Sequence, residues 1–148
     1  MDNEFYMREA LKEAYKAFDE EEVPVGAVLV HDGIVIGRAH NQIKTLKDPT
    51  AHAEILAITQ GAAYLNNERL TGAVLYVTIE PCVMCVGAVI LARLDAIVFG
   101  AREPKTGACG SLIDLVKPGL FNHSLKITGS VLELECKTIL QKFFLARR

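Results

Sequence analysis

Two short runs of metal-ligand side chains constrain the fold of this chain more than any other sequence feature. His52 and Glu54 form a His-x-Glu pair, and Pro81, Cys82 and Cys85 form a Pro-Cys-x-x-Cys run. One imidazole and two thiolates are a ligand set that suits zinc. A structural zinc normally has four protein ligands, whereas three ligands leave a position for water, as in a catalytic site. The two runs together therefore predict a catalytic zinc site with a carboxylate beside it.

The spacing within each run predicts that each ligand-bearing segment begins a helix. Cys82 and Cys85 are three residues apart, so the opening turn of a helix would put both sulfur atoms on one side. The free N–H groups and the positive end of the dipole at a helix start favour a thiolate over a thiol. His52 and Glu54 do not share a helix face, so both can reach one site only beyond the end of their helix. We therefore expect two helix N-termini to face one metal ion, with Glu54 transferring protons.

Each run has other interpretations when it is taken alone. A Cys-x-x-Cys pair also fits a structural zinc, a redox pair or two core cysteines, and Glu54 alone would be a solvated helix residue. A redox pair would leave His52 and Glu54 without a role. A structural zinc would need a fourth ligand, and spacing favours none of the candidates, which are His31, His40, Cys109, His123 and Cys136.

Length and composition predict a single cytoplasmic domain. The 148 residues are 51% hydrophobic, which is enough for one core, so we expect one domain over residues 1–148. No apolar run is long enough for a membrane span, and the polar start does not have the pattern of a signal peptide. In the cytoplasm, four cysteines favour metal or catalytic use over disulfides. The net charge of −2 gives no overall basic footprint for nucleic acid, although the C-terminal stretch carries four basic residues, Lys137, Lys142, Arg147 and Arg148.

Helical and strand-like patterns alternate along the chain and predict an α/β sandwich with a mixed sheet. We expect helices over 4–18, from the Asp48-Pro49-Thr50 start to about 65, from Pro81 to 92, and over 132–147. We expect strands over 23–30, 34–39, 74–78, 95–100 and 125–128, with a hairpin turn at 31–33. Residues 41–47 and 102–111 are expected to be loops.

Several further runs accompany the metal motif: VPVGAV at 23–28, DPTAHAEI at 48–55, FGAR at 99–102, KTGA at 105–108, Asn122-His123, and Glu135-Cys136 with Phe143-Phe144. With these runs, nearly the whole chain resembles the bacterial tRNA-specific adenosine deaminases. That family is a branch of the zinc cytidine/deoxycytidylate deaminase superfamily. The metal motif belongs to the whole superfamily, whereas the DPTAHAE run, the KTG loop and the Phe-Phe pair are more specific to the tRNA branch.

This resemblance implies a fold, an activity and partners. The implied fold is a cytidine deaminase-like three-layer α/β/α sandwich with a mixed five-stranded sheet. The implied activity is the zinc-dependent hydrolytic deamination of adenosine to inosine at the wobble position (34) of a tRNA anticodon, by a homodimer with one zinc ion per subunit. Carried over by position, His52, Cys82 and Cys85 bind zinc, and Glu54 is the catalytic proton shuttle.

The resemblance also implies residues that bind the substrate. Asn41 would hydrogen-bond the flipped adenine, and the Ala53 N–H would contact the atom bound to C6 of that base. Val25 would form a wall of the pocket, and Pro81 belongs to the same substrate-binding set. The loop at 102–107 would lie near the RNA and the dimer interface. Contacts to the anticodon loop would come from the remaining set, Asn122, Phe144, Arg147 and Arg148.

The RNA assignment also has alternatives that the residues alone leave open. Anticodon bases can be splayed out and stacked, so recognition need not depend on bulk positive charge. We expect Phe143 in the core and Phe144, one step round the helix, as the stacking residue. Asn41 alone fits a loop cap equally well, and the basic end of the last helix fits a solvated terminus. The main rival is a deaminase of free guanine, cytosine or a nucleoside, and a different class is a zinc-stabilised RNA-binding module without catalysis.

Overall fold

The computed structural model describes residues 2–147, which form five strands and five helices. The first helix precedes a hairpin, which is followed by two consecutive helices, a strand, a helix, two strands and a last helix. In chain order the elements are α1 (Asn3–Asp19), β1 (Gly26–His31), β2 (Ile34–His40), α2 (Ile43–Leu46), α3 (Ala53–Leu65), β3 (Ala73–Ile79), α4 (Val83–Ala92), β4 (Ala96–Ala101), β5 (Lys126–Thr128) and α5 (Glu133–Leu145).

All five strands belong to one mixed sheet with the order β2-β1-β3-β4-β5. β1 pairs antiparallel with β2 and with β3, whereas β4 pairs parallel with β3 and with β5. The β1–β2 connection is the expected tight hairpin, in which Asp32 and Gly33 both have positive φ values, of 52° and 73°. The mixed five-stranded sheet expected from the sequence is therefore confirmed.

Helices cover both faces of the sheet, and alternate side chains of each strand point to opposite faces. Ala27 and Leu29 of β1 pack into the core on the side of α3 and α4. Val28 and Val30 of the same strand pack into the core on the side of α1 and α5. This arrangement confirms the three-layer α/β/α sandwich.

The first strand begins later than its apolar pattern indicates, at Gly26 and not at Val23. The backbone N–H of Gly26 donates to the hydroxyl of Thr78 at 3.1 Å. A Cβ atom at Gly26 would lie 2.0 Å from the carbonyl oxygen of Ala10 in α1. The absence of a side chain at Gly26 therefore allows α1 to lie directly against the sheet.

Two boundaries before the site differ from the sequence-based expectation. Residues 43–46 form the short helix α2 and not a loop, because the buried carboxylate of Glu22 accepts hydrogen bonds from the N–H groups of Lys44 and Thr45. The helix expected to start at Asp48-Pro49-Thr50 starts at Ala53. The Asp48 carboxylate accepts bonds from the N–H and hydroxyl of Thr50 in a local turn, so it does not cap the helix.

Among residues 2–147, no helix is both long enough and apolar enough to cross a membrane.

Candidate active site

The structure brings His52, Cys82 and Cys85 together as the sequence predicts. One ligand atom from each residue lies within 4.8 Å of the others. The Nδ1 atom of His52 is 3.7 Å from Cys82 Sγ and 3.5 Å from Cys85 Sγ. Three donors that converge from different segments can hold one metal ion between them.

Two helix starts produce this convergence. His52 is the N-cap residue of α3 and Cys82 is the N-cap residue of α4, and both have extended backbone conformations. Neither side chain caps its own helix, so the imidazole and the thiol are directed to the common site. Cys85 lies in the first turn of α4 and is fully buried. The site therefore lies beyond two helix ends, where peptide dipoles favour negative charge on the sulfur atoms.

The two cysteines differ in pKa because of the hydrogen bond between them. A bond from the Cys85 thiol, together with the one from His52, lowers the pKa of Cys82 to about 4 against the opposing effect of burial. The same Cys85–Cys82 bond, followed by burial, raises the pKa of Cys85. The Cys82 bond also raises the pKa of His52. A bound cation would favour the thiolate form of both cysteines, because metal binding displaces thiol protons.

Glu54 lies beside this triad, in the first turn of α3, with 3% of its surface exposed. Burial raises the pKa of its carboxyl to about 7, and the nearby Cys82 adds to this effect while His52 opposes it. Without a bound cation this carboxyl therefore holds its proton more tightly than an exposed glutamate, and its place beside the triad allows it to exchange protons with a ligand in the site.

The donor set fits a zinc ion with an open position. Imidazole nitrogen and two thiolates match zinc in softness, and the triad is the one such group of three or more His, Cys, Asp or Glu side chains in residues 2–147. Cys109 and Cys136 are buried elsewhere and do not belong to it. The residues that the structure describes therefore bring three candidate ligands to the site, which fits an open zinc site and not a closed four-ligand one.

A cavity of about 190 Å³ opens in front of the triad. Its lining includes His52, Glu54 and Cys82 together with Val25 and Asn41. It therefore contains two of the residues expected to bind substrate. Pro81 is buried at the edge of the site, where its carbonyl oxygen accepts the N–H of Ala108 at 2.9 Å.

Asn41 is held in place by the start of α3. Its side-chain oxygen accepts the N–H of Ala53 at 2.9 Å, and its own N–H donates to the carbonyl oxygen of Val25 at 3.1 Å. The Ala53 N–H was expected to meet the substrate. Since it already donates to Asn41, a substrate contact would have to share this bond, and the Asn41 NH₂ group is the donor that the bond leaves for a ligand.

Sequence analysis missed Glu80, which precedes Pro81 and lines the same cavity. Burial would raise the pKa of its carboxyl, but hydrogen bonds from Ser111 and from the backbone of Glu103, Ser111 and Cys109 outweigh burial and hold this pKa below its ordinary value. A glutamate just before a Pro-Cys ligand run is the only signal in the sequence, and it does not reveal the loop that Glu80 binds.

A wider groove of about 570 Å³ adjoins the cavity, and the two share Val23, Ile79 and Glu103. Its other lining residues include the basic side chains of Arg102 and Lys137. The apolar side chains that α5 contributes to its lining include Phe144, with 51% of its surface exposed.

The expected RNA-binding residues occupy different places. Phe144 lines the groove, whereas Phe143 is buried at 3% exposure, as expected for a core residue. The Arg147 guanidinium lies 3.4 Å from the centre of the Phe143 ring, at the end of α5. Asn122 is exposed in the loop before β5 and lines neither the cavity nor the groove. Arg148 lies outside the described residues.

The sequence and the fold of this chain are similar to those of known deaminases. A family model for MafB19-like deaminases matches residues 1–148. The chain is 50% identical over 142 residues to a tRNA-specific adenosine deaminase of Bacillus subtilis, covering 96% of this chain and 88% of that protein. A solved structure of a tRNA:A34 deaminase that carries out A-to-I editing at the wobble position matches with a TM-score of 0.86 and 44% identity over 92% of this chain and 99% of that one. A guanine deaminase from Bacillus subtilis matches with a TM-score of 0.66 and 36% identity over 69% of this chain and 66% of that one.

Proposed function

We infer that this chain, which belongs to the MafB19-like deaminase family and groups there with the tRNA-specific adenosine deaminases, hydrolyses adenosine to inosine in tRNA. The reaction takes place at the wobble position of the anticodon, and residues 1–148 act as a single deaminase domain. The observation that carries this proposal is the His52–Cys82–Cys85 triad with buried Glu54 at the base of a cavity that opens into a wider groove.

We propose that His52, Cys82 and Cys85 hold one zinc ion per subunit. Zinc held by three protein ligands supplies Lewis acidity that lowers the pKa of water towards about 7. The chain contributes the orientation of these ligands, because each is fixed by the start of a helix and by the contacts among the three side chains.

Glu54 moves the protons of the reaction. Hydrolysis adds water to the purine carbon that bears the amino group and releases ammonia, so both protons of the water must leave its oxygen, one for the ring nitrogen and one for the leaving amine. The Glu54 carboxylate accepts each of these protons in turn and passes it to the purine. General acid–base catalysis of this kind contributes typically about 10²–10⁴-fold to the rate.

The cavity accommodates one purine base. Asn41 offers its NH₂ group as a hydrogen-bond donor, and Val25 provides an apolar wall. Ala53 contributes through the bond that orients Asn41, and Pro81 shapes the edge of the site through its bond from Ala108. A volume of about 190 Å³ suits a single base removed from its stack and does not suit a stem-loop.

The adjoining groove favours RNA over a free base as the substrate. A free-base enzyme needs only the smaller cavity, whereas an anticodon loop also needs a surface for the bases next to the target. The groove supplies positive charge from Arg102 and Lys137 and an exposed aromatic ring from Phe144. Stacking on aromatic side chains and contact with basic groups are the usual means of binding single-stranded nucleic acid. Asn122 and Arg147 stay proposed contacts for more distant parts of the loop.

Steady-state deamination with three substrates tests the proposal. The purified protein is incubated with an anticodon stem-loop carrying adenosine at the wobble position, with free guanine and with free cytosine, and ammonia and base composition are measured. We expect inosine in the stem-loop and no turnover of the free bases. Turnover of guanine or cytosine with none of the RNA would reject the proposed substrate.

We also propose that the protein is a homodimer. Exposed apolar side chains occur on α4, at Val83 and at Leu91 with 82% exposure, and between β4 and β5, at Leu112, Ile113, Leu120 and Phe121. Ile90 of α4 and Phe121 of the loop line one surface depression, so the two segments are adjacent. Exposed apolar surface of this kind marks a site of association.

Light scattering should give twice the mass of the chain, and Leu91→Glu should lower this measured mass. A monomer at micromolar concentration would contradict the proposal.

A further inference from the structure

Glu80 is a buried acid that the proposed chemistry does not use. Its side chain is 2% exposed, and its carboxylate accepts four hydrogen bonds from one loop. Oε1 accepts the N–H of Glu103 at 3.1 Å and the hydroxyl of Ser111. Oε2 accepts the N–H groups of Cys109 and Ser111, at 2.9 Å and 3.1 Å. One carboxylate therefore binds both ends of the segment from 103 to 111.

The loop is built closely around this carboxylate. A Cβ atom at Gly107 would lie 2.4 Å from Cδ of Glu80 and 2.5 Å from the carbonyl oxygen of Glu103, so no larger residue fits there unless both the carboxylate and the loop backbone move. The segment has no helix or strand of its own among 102–111 apart from an isolated bridge at Cys109. Its conformation therefore depends on Glu80 more than on a regular backbone ladder.

The same loop meets both the metal-ligand run and the substrate cavity. Ala108 donates its N–H to the carbonyl oxygen of Pro81, next to the ligand Cys82. Glu103 and Thr106 line the cavity together with His52 and Glu54, and Glu103 also lines the groove. A shift of the loop would change the cavity wall without moving Glu54.

We propose that Glu80 is a positioning residue that holds the 103–111 loop as one wall of the substrate site and thereby sets substrate affinity. It does not touch the reacting atoms. This inference rests on the proposed function for the identity of the substrate, but the position of the loop is a property of the fold.

Glu80→Gln tests the proposal with little change in shape. If the amide oxygen takes the place of Oε2, the bonds from Cys109 and Ser111 remain, and the Ser111 hydroxyl can rotate to accept from the NH₂ group. The Glu103 N–H then faces an NH₂ group and loses its acceptor. In the metal-loaded Glu80→Gln variant, we therefore expect hydrogen exchange to be faster at the Glu103 amide than at the Cys109 amide.

The kinetic result separates a positioning role from a merely structural one. In Glu80→Gln we expect KM for the adenosine stem-loop to rise roughly tenfold, the scale of one charge-assisted hydrogen bond, with kcat changed by less than about twofold. Metal content should stay at that of the wild type. Glu68→Gln, at an exposed glutamate outside the site, is the matched control and should change neither constant. A fall in kcat at constant KM, a loss of metal, or an unchanged KM would each overturn the proposal.

A second variant keeps the test decisive if Glu80→Gln does not fold. Ser111→Ala removes only the hydroxyl and leaves the three N–H donors on the carboxylate, so KM should rise by less, about two- to threefold. An unchanged KM in a folded Ser111→Ala protein would count against the positioning role of Glu80.

If the wild type deaminates only a free base, the proposed function fails, and the same comparison of KM and kcat on that base still decides the role of Glu80. Inactivity on every substrate rejects both.

Discussion

Replacement of Glu54 by Gln should slow deamination by orders of magnitude in the metal-loaded protein and should stabilise the chelated protein at neutral pH. The side chain is 3% exposed, and burial raises the pKa of its carboxyl from 4.5 to about 7. A carboxyl whose folded pKa is raised binds its proton more tightly in the folded state. Its favourable contribution is therefore complete below pH 4.5 and is lost as the pH rises through about 7. Gln keeps the shape of the side chain and carries no charge at any pH.

The size of the effect follows from the difference in pKa. A rise from 4.5 to about 7 corresponds to on the order of 3 kcal/mol, at 1.36 kcal/mol per pKa unit. Between pH 5 and pH 8, the free energy of unfolding of Glu54→Gln should rise relative to the wild type by about 2–3 kcal/mol. A chelator is required throughout, because a bound cation would itself lower the pKa of Glu54.

Urea unfolding of both proteins at pH 5 and pH 8, followed by circular dichroism, measures this difference. The metal-loaded variant should deaminate the stem-loop about 10²–10⁴-fold more slowly than the wild type. An equal stability difference at the two pH values would refute the assignment of a buried carboxyl with a raised pKa. Normal activity of the variant would refute its role as the proton shuttle.

Two further predictions concern the remaining cysteines and the C-terminal helix. Cys109→Ala and Cys136→Ala should each retain the metal content of the wild type, since neither thiol belongs to the triad; loss of metal, measured by atomic emission, would make that thiol a ligand. Phe143→Ala should destabilise the protein by about 3–5 kcal/mol, because the ring is 3% exposed. Phe144→Ala should change stability little and should raise KM for the stem-loop roughly tenfold, through the loss of about 1–3 kcal/mol of base stacking. A loss of stability in Phe144→Ala, measured by urea unfolding, together with a raised KM in Phe143→Ala would contradict the assignment of the two rings.

Short-range spacing was sufficient to predict that the three side chains of the triad converge. Pro81 just before Cys82, and the three-residue step to Cys85, predict a helix start with both sulfur atoms on one side, and the structure has that arrangement. The two-residue step from His52 to Glu54 required a site beyond the helix end, and His52 is the N-cap residue of α3. These inferences succeed because they depend on the geometry of a single turn.

Contacts between distant segments could not be predicted in the same way. The hydrogen bonds of Glu22 to the 44–45 backbone turn an expected loop into α2, and nothing in the local sequence indicates them. The four bonds of Glu80 to the 103–111 loop join segments more than twenty residues apart. The Asn41–Ala53 bond likewise shows that the Ala53 N–H is already engaged, a fact that no motif contains. Buried carboxylates with tertiary partners were the main information missing from the sequence.

Sequencing of the anticodon loop of cellular tRNA, after incubation with the purified protein, tests the central claim most directly. Inosine pairs as guanosine during reverse transcription, so deamination is recorded as an A-to-G change. We predict this change at the wobble position of tRNA treated with the wild type and its absence with Glu54→Gln. Unchanged adenosine at that position, with a protein that carries its full metal content, would contradict the account.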